Sequence, residues 1–228
     1  MAVNIDTVYQ RVLAIANKEQ RGYITPLEFN LLANQAQLTI FEEYFSVMAQ
    51  ASAVVGNETE YSDNVKTLNE RISIFKTRSA LTYSNGYFSY PPDMHKLGTL
   101  YHRPGGSSIE KATEVQEINH DELIDYSKSP LTSPTHSRPI YIRSVNGIEI
   151  FSSPSITNDI ETSYIIKPRK VEWGYVVVNE QALYEAGSST DFELHASEET
   201  VLVAKILGLA GVTIQKQDLM AVEQLQKQ

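Results

Sequence analysis

"LTYSNGYFSYPPDMHKLGTLYH", residues 81–102, is where the chain changes character. Asn85 and Gly86 stand between two runs rich in Tyr, Phe and Thr, and this dipeptide best tolerates the positive φ angles of a two-residue hairpin turn. Pro91 and Pro92 cannot donate ladder hydrogen bonds, and Pro92 pushes the residue before it into an extended conformation. The stretch therefore predicts a strand, a rigid corner, and a second strand beginning at Lys96 or Leu97.

Downstream the strand signals continue. "RPIYIRSVNGIEIFSSP" (138–154) repeats the turn device with Asn146 and Gly147. Between the two, "LGTLYHR" and "KATEVQEI" read as strands, and "NHDELIDYS" reads as a helical turn capped by Asn119. "IETSYIIKPRKVEW" (160–173) and "GYVVV" (174–178) add two more. Residues 81–178 thus form a strand-rich block.

Helices flank it. Ile5, Val8, Tyr9, Val12, Leu13 and Ala16 recur at helical spacing to about Asn17, with Asp6 or Asn4 as cap. Thr25, Pro26 and Glu28 sit where an N-cap, an N1 proline and the acid of a capping box belong. The apolar stripe Phe29, Leu32, Ala33, Ala36, Ile40, Tyr44 and Met48 then carries a helix to about Ala53. A third helix reads from Val65 to about Arg78. At the other end, Ser197 is placed to cap a helix that is apolar almost all round from Val201 to Ala210, which predicts burial against the N-terminal pair. The fold class is α+β: helices from residues 1–80 and 179–228, with the β-rich block 81–178 inserted between them.

Composition narrows the function. The 228 residues contain no cysteine, which excludes disulfides and thiolate metal sites. A formal net charge of −9 argues against a surface that grips duplex DNA. No stretch approaches the roughly 20 apolar residues of a membrane span, and "MAVNIDTVYQ" lacks the regions of a signal peptide, so a soluble protein made in a cytoplasm is expected.

Chemical motifs are weak. His95, His102, His120, His136 and His195 are scattered, with no i, i+4 pair to hold a metal. "HASEE" reads as a helix N-terminus, where acids have a full electrostatic explanation. "HRPGGSS" lacks the Gly-Lys-Ser/Thr ending and following helix of a phosphate loop, and Ser107 and Ser108 lack a nucleophile elbow. "KPRK" (167–170) is too short for a nucleic-acid surface. We expect no catalytic, cofactor or metal residues and no enzyme; a small hydrolase is the opposing reading, and a host-factor binding module a third. The tyrosines of the strand block suit a half-wet core or an interface. Of these, Tyr87, Tyr90, Tyr101 and Tyr141 are candidate contacts between copies of the chain.

The order of the pieces resembles the head-to-tail adaptor proteins of tailed phages, also called connectors, neck proteins or tail tubular protein A-like proteins. In that family a Tyr-x-x-Pro-x-Asp segment opens an inserted β-domain. A Pro-x-Tyr strand leads through a hairpin to a strand ending in proline, a strand with Tyr and a later Pro closes the insert, and a buried apolar helix returns to the bundle. The matching positions here are Tyr90, Pro92 and Asp93; Pro139 and Tyr141; Ile148, Ile150 and Pro154; Tyr164 and Pro168. "GYITPLEFNLLANQAQLTIFEEYF" (22–45) and "DFELHASEE" (191–199) are also similar to adaptor-type ring proteins of crAss-like and marine phages. The longer second helix and the Gln-rich end depart from the broader pattern.

The resemblance implies a helical bundle with an inserted antiparallel β-domain. It also implies a virion structural subunit of a ring, dodecameric by family analogy, seated in the head-tail neck between the portal protein and the downstream tail ring protein. Packaged DNA would pass through its channel without sequence-specific binding, and no membrane is involved. The segment from Asp218 would dock on the portal, with Leu219, Met220, Val222 and Leu225 as apolar contacts that fold on binding. A tail-completion protein or other virion part is the nearest alternative.

Overall fold

A computed structural model describes residues 3–18, 24–53, 59–106 and 112–211. Five α-helices lie among them: α1 (Ile5–Lys18), α2 (Pro26–Ala53), α3 (Thr59–Ser73), α4 (Leu123–Lys128) and α5 (Glu199–Leu209). The strands in chain order are β1 (Lys76–Ala80), β2 (Tyr83–Ser84), β3 (Tyr87–Phe88), β4 (Met94–His102), β5 (Thr113–Glu117), β6 (Ile140–Ser144), β7 (Gly147–Phe151), β8 (Ile160–Ile166), β9 (Tyr175–Val178) and β10 (Gln181–Tyr184). The fold is mixed α+β and divides into two units, residues 1–74 with 168–228, and residues 75–167.

These limits are displaced from the expected 81 and 178 for a physical reason at each end. Residues 76–80 pair with β8, so they belong to the sheet although "KTRSA" carries no apolar alternation. The third helix accordingly ends at Ser73, not near Arg78. Residues 168–178 belong with the helices: side chains of α2 hold the backbone at Arg169, Val171 and Trp173, as described below.

In the helical unit the capping box at the start of α2 is complete. Thr25 N–H donates to Glu28 Oε2 at 3.0 Å, and Glu28 N–H donates to Thr25 Oγ1 at 3.3 Å. These bonds satisfy donors that a helix N-terminus leaves without partners. Asn4 caps α1 through Thr7 N–H at 3.0 Å, and Asp191 accepts from Ile5 N–H at 2.9 Å. α5 packs on both α1 and α2, with Leu202, Val203, Ile206 and Leu207 buried. Its cap is His195, not Ser197: the ring Nδ1 accepts from Ser197 N–H at 3.3 Å, and a single 3-10 turn, Ala196–Glu198, precedes the α-helix. Glu198, 5% exposed, pairs with Arg71 of α3 at 2.6 Å. Burial, then the Glu198 charge, pushes the neighbouring Tyr44 hydroxyl well above its ordinary range.

The other unit is an eight-stranded sheet in the order β1-β8-β4-β5-β6-β7-β3-β2. All its pairings are antiparallel except β5 with β6. Phe88, Leu97, Leu100, Val115, Tyr141, Ile148 and Ile160 share one core cluster. Ile118, Ile140 and Ile142 form another, against Leu123 and Tyr126. The Pro-Pro-Asp corner leads into β4 as expected, although the strand opens at Met94, ahead of the expected Lys96 or Leu97. Asp93 ties it down, its carbonyl accepting from Lys167 N–H at 3.0 Å and its carboxylate from the Tyr164 hydroxyl at 3.2 Å.

Asn85 and Gly86 make the expected turn, at φ 53° and 91°. The second hairpin differs from expectation: Ser144 pairs with Gly147, so its loop is Val145 and Asn146, and Gly147 opens β7. Gly147 is needed for another reason. A Cβ there would lie 2.5 Å from the Phe88 carbonyl oxygen of the adjoining strand, at a backbone φ of 145°.

His102, on β4, is 3% exposed, and its Nδ1 has no hydrogen-bond partner. The His136 ring meets it edge-on, with centroids 4.8 Å apart. Burial, reinforced by His136, holds its pKa below the ordinary 6.5; Asp159 acts in the opposite direction as the smallest of the three influences. The folded state thus keeps His102 neutral to lower pH than the unfolded chain, which takes up a proton at the ordinary value. Stability is complete above that value and falls as pH drops through it. The urea midpoint is expected to be lower near pH 5 than above pH 7, and His102→Leu to flatten that dependence.

Candidate functional site

Val176, Val177 and Val178 are β-branched and favour a pleated strand. The reversal that follows is made by Asn179 and Glu180, both at positive φ (51° and 63°). Val178 then pairs with Gln181 and Tyr175 with Tyr184, so β9 and β10 form a two-stranded ribbon separate from the large sheet. Two positive-φ residues in succession are the signature of a type I′ hairpin turn. Below the ribbon, Glu185 N–H donates to the Gly174 carbonyl at 2.9 Å and Gly174 N–H to Ser189 Oγ at 3.0 Å. The Ser188 side chain and backbone fill the space a Cβ would take at Gly174.

The root of the ribbon is fixed from two sides. Trp173, 2% exposed, lies 4.4 Å from the Tyr9 ring, and its indole N–H donates to Asp6 Oδ1 at 3.0 Å. The rings of Tyr175 and Tyr184, one from each strand, lie 5.8 Å from it. On the other side, amide side chains of α2 serve the backbone of the extended segment as a neighbouring strand would. Asn30 accepts from Trp173 N–H (2.8 Å) and donates to its carbonyl (3.3 Å); Asn34 does the same for Val171 at 2.9 and 2.8 Å. Gln37 donates to the Arg169 carbonyl at 2.8 Å and accepts from Glu193 N–H at 3.1 Å. Positions 30, 34 and 37 lie along one helix face, while residues 169, 171 and 173 present their backbone groups to one side of an extended chain.

Above this root the ribbon is apolar and open. Val177 is 63% exposed and Leu183 51%, and Tyr175, Val176, Val178 and Tyr184 are each more than a third exposed. The register places Tyr175, Val177 and Tyr184 on one face of the ribbon and Val176, Val178 and Leu183 on the other, so each face exposes the equivalent of somewhat under one and a half residues, on the order of 250 Å² if a large side chain covers about 150–250 Å². A lone two-stranded ribbon is itself only marginally stable.

The four tyrosines expected at contacts between copies fall differently. Tyr87 and Tyr101 are half-buried on β3 and β4. Tyr90 is half-buried too, packed on the sheet core with its hydroxyl on the Ser144 and Gly147 carbonyls. Tyr141 is 3% exposed and belongs to that core, so its ring has no surface to offer a second copy. Its hydroxyl donates to Glu117 at 2.9 Å, and burial pushes its pKa up to about 12. Leu219, Met220, Val222 and Leu225 lie outside the described residues. In the basic cluster, Arg169 pairs with Glu193 at 3.3 Å. Among the described residues no group of three or more His, Asp or Glu is placed to hold a metal, and no helix is long and apolar enough to cross a membrane.

Sequence reading found the strand "GYVVV" but missed its partner and the amide face. The signal for the latter was present: three uncharged amides, Asn30, Asn34 and Gln37, at i, i+4 and i+7 on one face of α2. Comparison with protein-family models and with curated proteins finds no match for this chain.

Proposed function

We propose that the chain is a virion structural protein, a subunit of the head-to-tail adaptor ring that joins the portal to the tail and surrounds the DNA channel. On this reading the helices form the bundle that meets neighbouring subunits, and the eight-stranded unit is the inserted β-domain. The observation that carries it is the β9–β10 ribbon, an apolar projection on a rigid root, which is useful to a protein that works by contact. The order of sequence segments supports the adaptor role in particular. The acidic balance suits a channel through which DNA must pass without being held.

The partners on this reading are further copies of the chain, the portal and the downstream tail ring protein. The segment from Asp218 docks on the portal through Leu219, Met220, Val222 and Leu225. Quantitative mass spectrometry of purified particles is the test: the chain is expected at a fixed multiple matching a single ring. Its absence from particles, or turnover of a small molecule by the purified chain, sinks the reading. Deleting residues 218–228 is expected to abolish portal binding while leaving the chain folded.

A further inference from the structure

We propose that β1 is a docking edge: it takes an extended acidic segment of another protein chain as an added antiparallel strand, with carboxylates on alternate residues set against Lys76 and Arg78. The edge has this use whether or not the chain sits in a ring.

The eight-stranded sheet ends in β1 on one side and β2 on the other. β2 is two residues long and offers little backbone, whereas β1 has five. The pairing with β8 fixes which groups of β1 look outward. Ile166 N–H donates to the Phe75 carbonyl and Leu81 N–H to the Ile160 carbonyl. With Lys76 opposite Ile165 and Ala80 opposite Glu161, the antiparallel alternation puts residues 75, 77, 79 and 81 on the inner ladder. Lys76, Arg78 and Ala80 therefore aim their N–H and C=O groups away from the sheet, and all three residues are exposed. Of these groups the Ala80 carbonyl accepts from the Ser79 hydroxyl at 3.0 Å. Such an outward row is a template on which another strand pairs.

The side chains of the same three residues stand on one face, with Lys76 and Arg78 about 6.7 Å apart along the strand. Neither has an ion-pair partner among the described residues. Lys96 of β4 stands level with Lys76, both opposite Ile165. Glu161, the acid on that face of β8, is held by Arg103 at 2.7 Å. Beside Lys76 and Arg78 lies a hollow of about 600 Å³, lined also by Gly98, Ser163 and Ile165. A Cβ at Gly98 would lie 2.6 Å from the Ser163 carbonyl oxygen, so the hollow has no side chain at that point and leaves room for one from an incoming strand.

The charges select the occupant. A second copy of β1 is repelled, because the registers that overlap best set Arg78 against Arg78 or against Lys76. Acids at i and i+2 of an added strand fall directly opposite the two cations. A nucleic-acid strand would answer the cations but leave the outward carbonyls without donors. Binding of the acidic strand weakens with added salt, which screens these pairs.

The purified full chain is titrated, by fluorescence anisotropy at low salt, with labelled Thr-Glu-Thr-Glu-Thr-Glu-Thr. The block peptide Glu-Glu-Glu-Thr-Thr-Thr-Thr and an oligothymidylate of similar length serve as comparisons. The alternating peptide is expected to bind several-fold more tightly than either, because it alone meets both cations and the backbone row. In its presence hydrogen exchange at the Lys76, Arg78 and Ala80 amides, followed by NMR, slows, while the already paired Thr77 and Ser79 change little. Arg78→Glu is expected to weaken binding roughly tenfold, since an attraction becomes a repulsion. Ala80→Pro removes one outward N–H and no charge, and is expected to weaken it several-fold. Both variants keep the thermal midpoint of the natural chain; should the proline variant unfold, Arg78→Glu decides alone. Equal binding of the two peptides, tighter binding of the oligothymidylate, or unchanged exchange at the three outward amides would overturn the proposal.

Discussion

Trp173→Ala is expected to cost about 3–5 kcal/mol of stability in the helical unit, the range for truncating a fully buried aromatic residue. The indole fills the space between Tyr9 and the two ribbon tyrosines and satisfies Asp6, so its loss opens a cavity and leaves the ribbon without its floor. Urea unfolding followed by far-ultraviolet circular dichroism measures it. Trp173→Phe keeps a ring but gives up the bond to Asp6, and is expected to recover roughly half the loss. A change below about 1 kcal/mol for the alanine variant would show that the root is held elsewhere.

Asn34→Leu comes second, at about 2–4 kcal/mol. The substitution keeps nearly the same volume but strips partners from both Val171 N–H and Val171 C=O, and an unsatisfied buried group costs about 1–3 kcal/mol. Val171 is buried, so water does not take over these bonds freely. Asn34→Asp retains an acceptor for the N–H and loses only the donor, so it is expected to fall between the two. Equal stability of the leucine variant and the natural chain would refute the strand-like role given to the α2 amides.

The start of α2 was legible because its signal is local: Thr25, Pro26 and Glu28 specify a cap that needs nothing from the rest of the chain. The Asn85-Gly86 turn was legible for the same reason. β1 was not, because a polar strand becomes one only by pairing with β8, more than eighty residues later. The parallel pairing of β5 with β6 likewise depends on tertiary arrangement. Gly147 shows a subtler limit: glycine beside asparagine signals a turn, yet here it admits the Phe88 carbonyl and the turn lies one residue earlier. At the candidate site, half the ribbon was visible in "GYVVV". The turn escaped because Glu180 is a residue type that rarely takes a positive φ.

The chain's single tryptophan lies in the helical unit, packed at the foot of the ribbon. Its fluorescence is thus an optical tag on that unit alone, while thirteen tyrosines are spread along the chain. Selective excitation of the indole during assembly or melting follows the ribbon's foundation without labelling, and any neighbour that settles on Tyr175 and Tyr184 announces itself in the emission.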